Sequence, residues 1–72
     1  MNDMIMIIGG GIFQVPAIRE ARQMGLDVLV IDKDPGAPGF RLATHRECVS
    51  TKDITQAIDC ARRYSRRFHL RG

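Results

Sequence analysis

Met4-Ile5-Met6-Ile7-Ile8-Gly9-Gly10-Gly11-Ile12-Phe13-Gln14 decides how this chain folds. Five unbroken apolar residues run straight into three glycines, and a helical pattern follows. A continuous apolar run of this length, bounded by a glycine turn, reads as a strand buried on both faces. The turn leaves backbone N–H groups without intrahelical acceptors at the positive end of a helix, a natural seat for a phosphate or carboxylate. Gly11 is the glycine expected to approach an anion or the helix start too closely for a β-carbon.

Downstream, Pro16 suits the first turn of a helix, where its missing N–H costs nothing. Ala17, Ile18, Ala21 and Met24 recur at helical spacing among polar residues, and Gly25 ends the element in the C′ role. Val28-Leu29-Val30-Ile31 is a second continuous apolar run, β-branched at three positions, and it stops at Asp32. Strand, helix, strand is a βαβ unit, which carries a right-handed crossover.

Lys33-Asp34-Pro35-Gly36-Ala37-Pro38-Gly39 holds two prolines and two glycines and continues neither strand nor long helix. Residues 32–43 are therefore read as a loop, with Phe40, Leu42 and Ala43 tucked beneath it in one helical turn. Residues 46–50 form a third, short strand in this reading. Thr51 or Asp53 caps a final amphipathic helix over about 53–68. The pattern predicts an α/β fold, a Rossmann-like three-layer α/β/α arrangement on a parallel sheet of three strands. In strand order 3-2-1-4, a fourth strand is due at Leu70-Arg71-Gly72, so the single domain, 1–72, reads as the incomplete first part of a longer one. An apolar first strand with an open outer edge is a template for a second chain, and a homo-oligomer is expected.

At 72 residues the chain holds one domain at most; a domain of this size hides roughly 60% of its unfolded surface. With 44% apolar and 26% charged residues its composition is that of a globular protein. No apolar run approaches the roughly 20 residues of a membrane span, and Met1-Asn2-Asp3 lacks the basic start of a secretory signal. A cytoplasmic setting without membrane contact is expected. The net charge of +3 is unevenly spread: residues 61–72 hold five arginines and no acid, whereas residues 1–60 carry a small excess of acid. Arg62, Arg63, Arg66 and Arg67 cluster on one helix face opposite Ile54, Ile58, Ala61 and Tyr64, and are read as its solvated side rather than a nucleic-acid surface. Positive charge near a helix C-terminus also follows from the macrodipole. Cys48 and Cys60 lie on different elements, without metal-ligand spacing, and read as small apolar side chains. His45 and His69 are similarly isolated, so no metal site is expected.

The candidate ligand-binding residues are Gly9, Gly10, Gly11, Gln14, Asp32 and Asp34, which fall at the carboxyl ends of adjacent strands, where open α/β sheets bind ligands. A nicotinamide-binding loop reads G-x-G-x-x-G, with an acid about 20 residues on for the ribose. Here Gln14 replaces the third glycine while Asp32 stands where the acid belongs. Two plainer readings stand beside the functional one. The glycines can serve only to make a tight turn, and Asp34 can fix the Pro35 loop through side-chain bonds to backbone.

The stretch from Gly9 to Ile18, followed by Gly25-Leu26-Asp27-Val28-Leu29-Val30-Ile31-Asp32-Lys33-Asp34-Pro35-Gly36-Ala37-Pro38-Gly39, resembles the N-terminal, pre-ATP-grasp domain of ATP-grasp enzymes. The likeness is to carboxylate–amine ligases such as the carbamoyl phosphate synthetase large subunit, biotin carboxylase and the purine-pathway carboxylases. It spans residues 5 to about 60 and rests on Gly-Gly-Gly with Gln14 and on Asp-x-Asp-Pro-x-Ala-Pro. The resemblance implies a Rossmann-like domain that lends its glycine loop to the site of a small carboxylate or phosphate substrate. A downstream ATP-grasp domain would hold ATP and magnesium, and a carboxylate would be activated as an acyl phosphate for attack by an amine. The chain holds no nucleophile–base pair, so it is expected to bind no cofactor of its own and to be catalytically silent alone. The alternatives are the nucleotide-binding start of an NAD(P)-dependent oxidoreductase and a small stand-alone binding module that uses the basic helix.

Overall fold

The computed structural model describes residues 3–50, 52–67 and 69–71. It is an α/β fold on one parallel sheet. Strand β1 (Asp3–Ile8) is followed by a 3₁₀ turn (Ile12–Gln14) that runs directly into helix α1 (Val15–Gln23), then β2 (Asp27–Asp32). A second 3₁₀ turn (Pro38–Arg41) leads to β3 (His45–Cys48), helix α2 (Ile54–Arg67) and a short β4 (His69–Arg71).

The sheet order is β3-β2-β1-β4. The three expected strands are thus joined by a fourth, in which His69, Leu70 and Arg71 pair in parallel with Asp3, Met4 and Ile5. The expectation of a wholly open edge on β1 is corrected over those residues. Three residues with a single apolar side chain, Leu70, are too short a pattern to mark a strand by themselves; the return of α2 to the far side of β1 creates it. β1 keeps no described partner on that edge beyond Ile5, whereas its other edge pairs with β2 from Met4↔Asp27 to Ile8↔Ile31.

Side-chain alternation divides the core into two layers. Val28 and Val30 of β2 face Ile18 and Ala21 of α1, with Ala37 and Phe40 closing that layer. Leu29 and Ile31 point the other way, with Met4, to meet Cys60 of α2. All four central residues of β2 are fully buried, which is why this strand reads as a continuous apolar run.

Local signals act as the sequence predicts at most element ends. Pro16 sits in the first turn of α1, and Gly25 follows its last turn with φ +84°. Asp53 caps α2, its Oδ1 accepting the Gln56 N–H at 3.1 Å; Thr51, Phe68 and the side chain of Ile54 lie outside the described residues. Thr44 leads into β3, which begins a residue earlier than expected. Its N–H donates to the Val28 carbonyl at 2.9 Å, and its Oγ1 accepts the Val28 N–H at 3.0 Å and the Arg22 guanidinium. The inward face of α2 is also corrected. Ala57, Cys60 and Tyr64 meet the sheet, and Ile58, expected inside, is 45% exposed because it lies about 100° round the helix from Ala57.

Candidate functional site: the glycine loop

The connection from β2 leads to one side of β1 and the connection from β3 to the other, so the sheet changes direction between β1 and β4. Open α/β sheets bind ligands outside the carboxyl ends of the strands at such a point. The glycine loop leaves β1 there.

Each glycine has a different task. Gly9 takes φ +92°, a conformation L side chains rarely adopt, and its N–H donates to the Ile31 carbonyl at 2.7 Å, extending the β1–β2 ladder by one bond. Gly10 is the point of close approach. A β-carbon on it would lie 2.9 Å from Cγ1 of Val30 and 3.4 Å from Cβ of Ala37. Its carbonyl accepts the Gly39 N–H at 2.7 Å, and a β-carbon on Gly39 would in turn stand 3.0 Å from the Gly10 carbonyl and 2.6 Å from Cδ1 of Ile18. The two glycines let two backbones touch, and so dock the 35–39 loop onto the glycine turn. Gly11 is the least constrained of the three, which corrects the expectation for it. Its φ of −66° and ψ of 173° suit any residue, and a β-carbon there would meet only Oε1 of Gln14, at 3.2 Å.

Asp32 closes the arrangement. Oδ2 accepts the Gly10 N–H at 2.8 Å and Oδ1 accepts the Asp34 N–H at 2.9 Å. The amides of Asp34 and Gly10 hold its carboxyl below the usual carboxylate range, outweighing the opposing effect of burial. Asp34 shapes the Pro35 turn: its Oδ1 accepts the Gly36 N–H at 2.9 Å and its carbonyl accepts the Ala37 N–H at 3.0 Å. The structure therefore brings Gly9, Gly10, Gly11, Gln14 and Asp32 together and leaves Asp34 in the adjoining turn.

Three backbone donors remain. The N–H groups of Gly11, Ile12 and Phe13 find no acceptor among the described residues, while Gln14 N–H turns back to the Gly11 carbonyl at 3.0 Å. They open the 3₁₀ turn that leads into α1, where the side chains of Phe13 and Ile12 stand in solvent, 93% and 64% exposed. Such a loop can orient an anion through its backbone N–H groups. Among the described residues no group of three His, Cys, Asp or Glu side chains could seat a metal ion.

A second polar cluster lies on the opposite face, between β3 and α2. Glu47 accepts the Tyr64 hydroxyl at 2.9 Å and pairs with the Arg63 guanidinium at 3.3 Å, and the ring of His45 meets that of Tyr64 edge-on at 5.5 Å. Burial, then the Glu47 carboxylate, pushes the Tyr64 hydroxyl up to about 12. Burial likewise raises the Cys60 thiol, whereas Cys48 is exposed and donates from Sγ to the Lys33 carbonyl at 3.3 Å. The sequence named the glycines and Asp32, but not Gly39, which sits 29 positions from Gly10 and carries no local mark of that contact. Among the described residues, no helix is long and apolar enough to cross a membrane. Neither protein-family models nor curated proteins give a match to this chain.

Proposed function

We propose that this domain binds a small carboxylate or phosphate over the loop Gly9-Gly10-Gly11, as the substrate-binding N-terminal domain of an ATP-grasp ligase does, and performs no chemistry alone. The observation that carries the reading is the set of unpaired N–H groups on Gly11, Ile12 and Phe13 where the sheet changes direction. Gln14, where a nicotinamide loop carries its third glycine, favours this reading over an oxidoreductase. Asp32 has a structural task in the loop, each of its oxygens accepting one backbone N–H. ATP and magnesium belong, in this proposal, to a partner ATP-grasp domain that contributes the phosphoryl transfer. A cytoplasmic setting goes with it, since ATP is spent there.

Inorganic phosphate and acetate, titrated separately into the ¹⁵N-labelled chain, test the proposal. Saturable shifts are expected at the amides of Gly11, Ile12 and Phe13. Gly11→Pro keeps the observed φ and deletes one donor, so it should weaken binding, while Gly11→Ala keeps the donor and should not. Unmoved amides with both anions, or equal binding by the two variants, would overturn it.

A further inference from the structure

Ile12, Val15 and Arg19 follow one another at spacings of three and four, so they form a single stripe along the 3₁₀ turn and α1. Across from that stripe the second 3₁₀ turn presents Pro38, Arg41 and Leu42, and between the two walls lies a cavity of about 390 Å³. The far wall is firmly held. Gly39 is bonded to the Gly10 carbonyl at 2.7 Å, and Phe40 beside it is buried in the core.

The charge of this cavity is one-sided. Arg19 and Arg41 both line it and none of its lining residues is acidic. Asp34 borders the groove, its carboxylate accepting the N–H of the lining residue Gly36, while Asp32 is held by the amides of Gly10 and Asp34. Glu20 lies about 100° round the helix from Arg19. Neither arginine has an ion-pair partner among the described residues, in contrast to Arg63, which Glu47 neutralises. Two guanidinium groups lining one groove offer an anion positive charge and forked hydrogen bonds from both walls. The floor of Ile12, Val15, Pro38 and Leu42 suits a hydrocarbon body, and the volume is at the small end of ligand pockets.

We propose that the groove between α1 and the Pro38–Arg41 turn binds a small organic anion, its charged head held by Arg19 and Arg41 and its apolar body against Ile12, Val15, Pro38 and Leu42. This site shares Ile12 with the glycine-loop site but takes its anion on Arg19 and Arg41, and it does not rest on the function proposed above. Its recognition uses two side-chain cations and an apolar floor, where the loop uses backbone N–H groups.

Phenyl phosphate is the probe, with inorganic phosphate and phenol as its two halves, each titrated into the full ¹⁵N-labelled chain. Phenyl phosphate should move the amides of Val15, Arg19, Arg41 and Leu42 and the side-chain Nε–H signals of both arginines. Each half should bind at least about tenfold more weakly. Arg19→Gln and Arg41→Gln, both exposed positions, should each cost about tenfold in affinity, with the rest of the spectrum unchanged. Guanidinium signals that stay still in the unsubstituted chain would overturn the proposal without any variant. So would phenyl phosphate binding that persists undiminished in the double variant, which would assign the response to the glycine loop instead.

Discussion

The N–H of Gly10 and the carboxylate of Asp32 meet at 2.8 Å across 22 positions of chain, and the same carboxylate takes the Asp34 N–H at 2.9 Å. Asp32 thereby clamps the end of β2 to the glycine turn and starts the loop that Gly39 then docks onto Gly10. A residue placed where a ribose-binding acid would stand is occupied in building the loop.

This clamp makes a pH prediction. The Asp32 carboxyl titrates lower when folded than its unfolded value of about 3.9. Its contribution is fully present above about pH 5 and is lost as pH falls through the folded value. Asp32→Asn should be less stable at neutral pH by of order 1 kcal/mol and should show a flatter acid limb below about pH 4. Urea midpoints measured across that window check this; parallel acid limbs would show that Asp32 is not a clamp.

Four glycines should separate in stability. Gly10→Ala forces a β-carbon onto Val30 and should cost about 1–3 kcal/mol. Gly39→Ala meets Ile18 and the Gly10 backbone and should cost at least as much. Gly9→Ala is strained by its φ of +92°, at about 1–2 kcal/mol. Gly11→Ala should fall within about 0.5 kcal/mol of the unsubstituted chain. Denaturant melts of the four variants give the ranking directly.

Tyr64 should govern part of the alkaline behaviour. Its hydroxyl is raised from about 10 when unfolded to about 12 when folded. The stabilisation is whole below pH 10 and is lost as pH rises through the folded value. The chain has one tyrosine, so the ultraviolet absorbance of tyrosinate reports it alone. Ionisation should be delayed until near the folded value, and Tyr64→Phe should be less stable at neutral pH yet lose less stability between pH 10 and 12. Titration near 10 in the folded chain would contradict the burial of this hydroxyl against Glu47.

Association is expected through the part of β1 that β4 leaves open. Met6, Ile7 and Ile8 have no strand partner on that edge among the described residues, and Ile8 is half exposed. Light scattering after size exclusion should give a mass that rises with concentration, and Ile8→Lys should return it to the monomer. A monomer mass at every concentration would count against pairing at this edge.

The sequence by itself determined the βαβ order, because its signals act within a few residues. Val28 to Ile31 can be apolar throughout only if both sides of the strand are covered, and Pro16 and Gly25 mark the two ends of α1 by backbone geometry alone. It also located the glycine loop and Asp32 at one end of the sheet. Only the tertiary structure decided which glycine must lack a β-carbon, since Gly10 is constrained by Val30 and Gly39 rather than by its neighbours. The same holds for β4, whose three residues become a strand only when α2 returns the chain to the edge of β1. Likewise Cys60 replaces Ile58 at the core because the sheet selects the face of α2 that it covers, and Arg19 and Arg41 come to line one groove only when the Gly10–Gly39 bond docks the second turn. Local patterns set the backbone elements; docking between distant segments set the contacts on which the proposed sites depend.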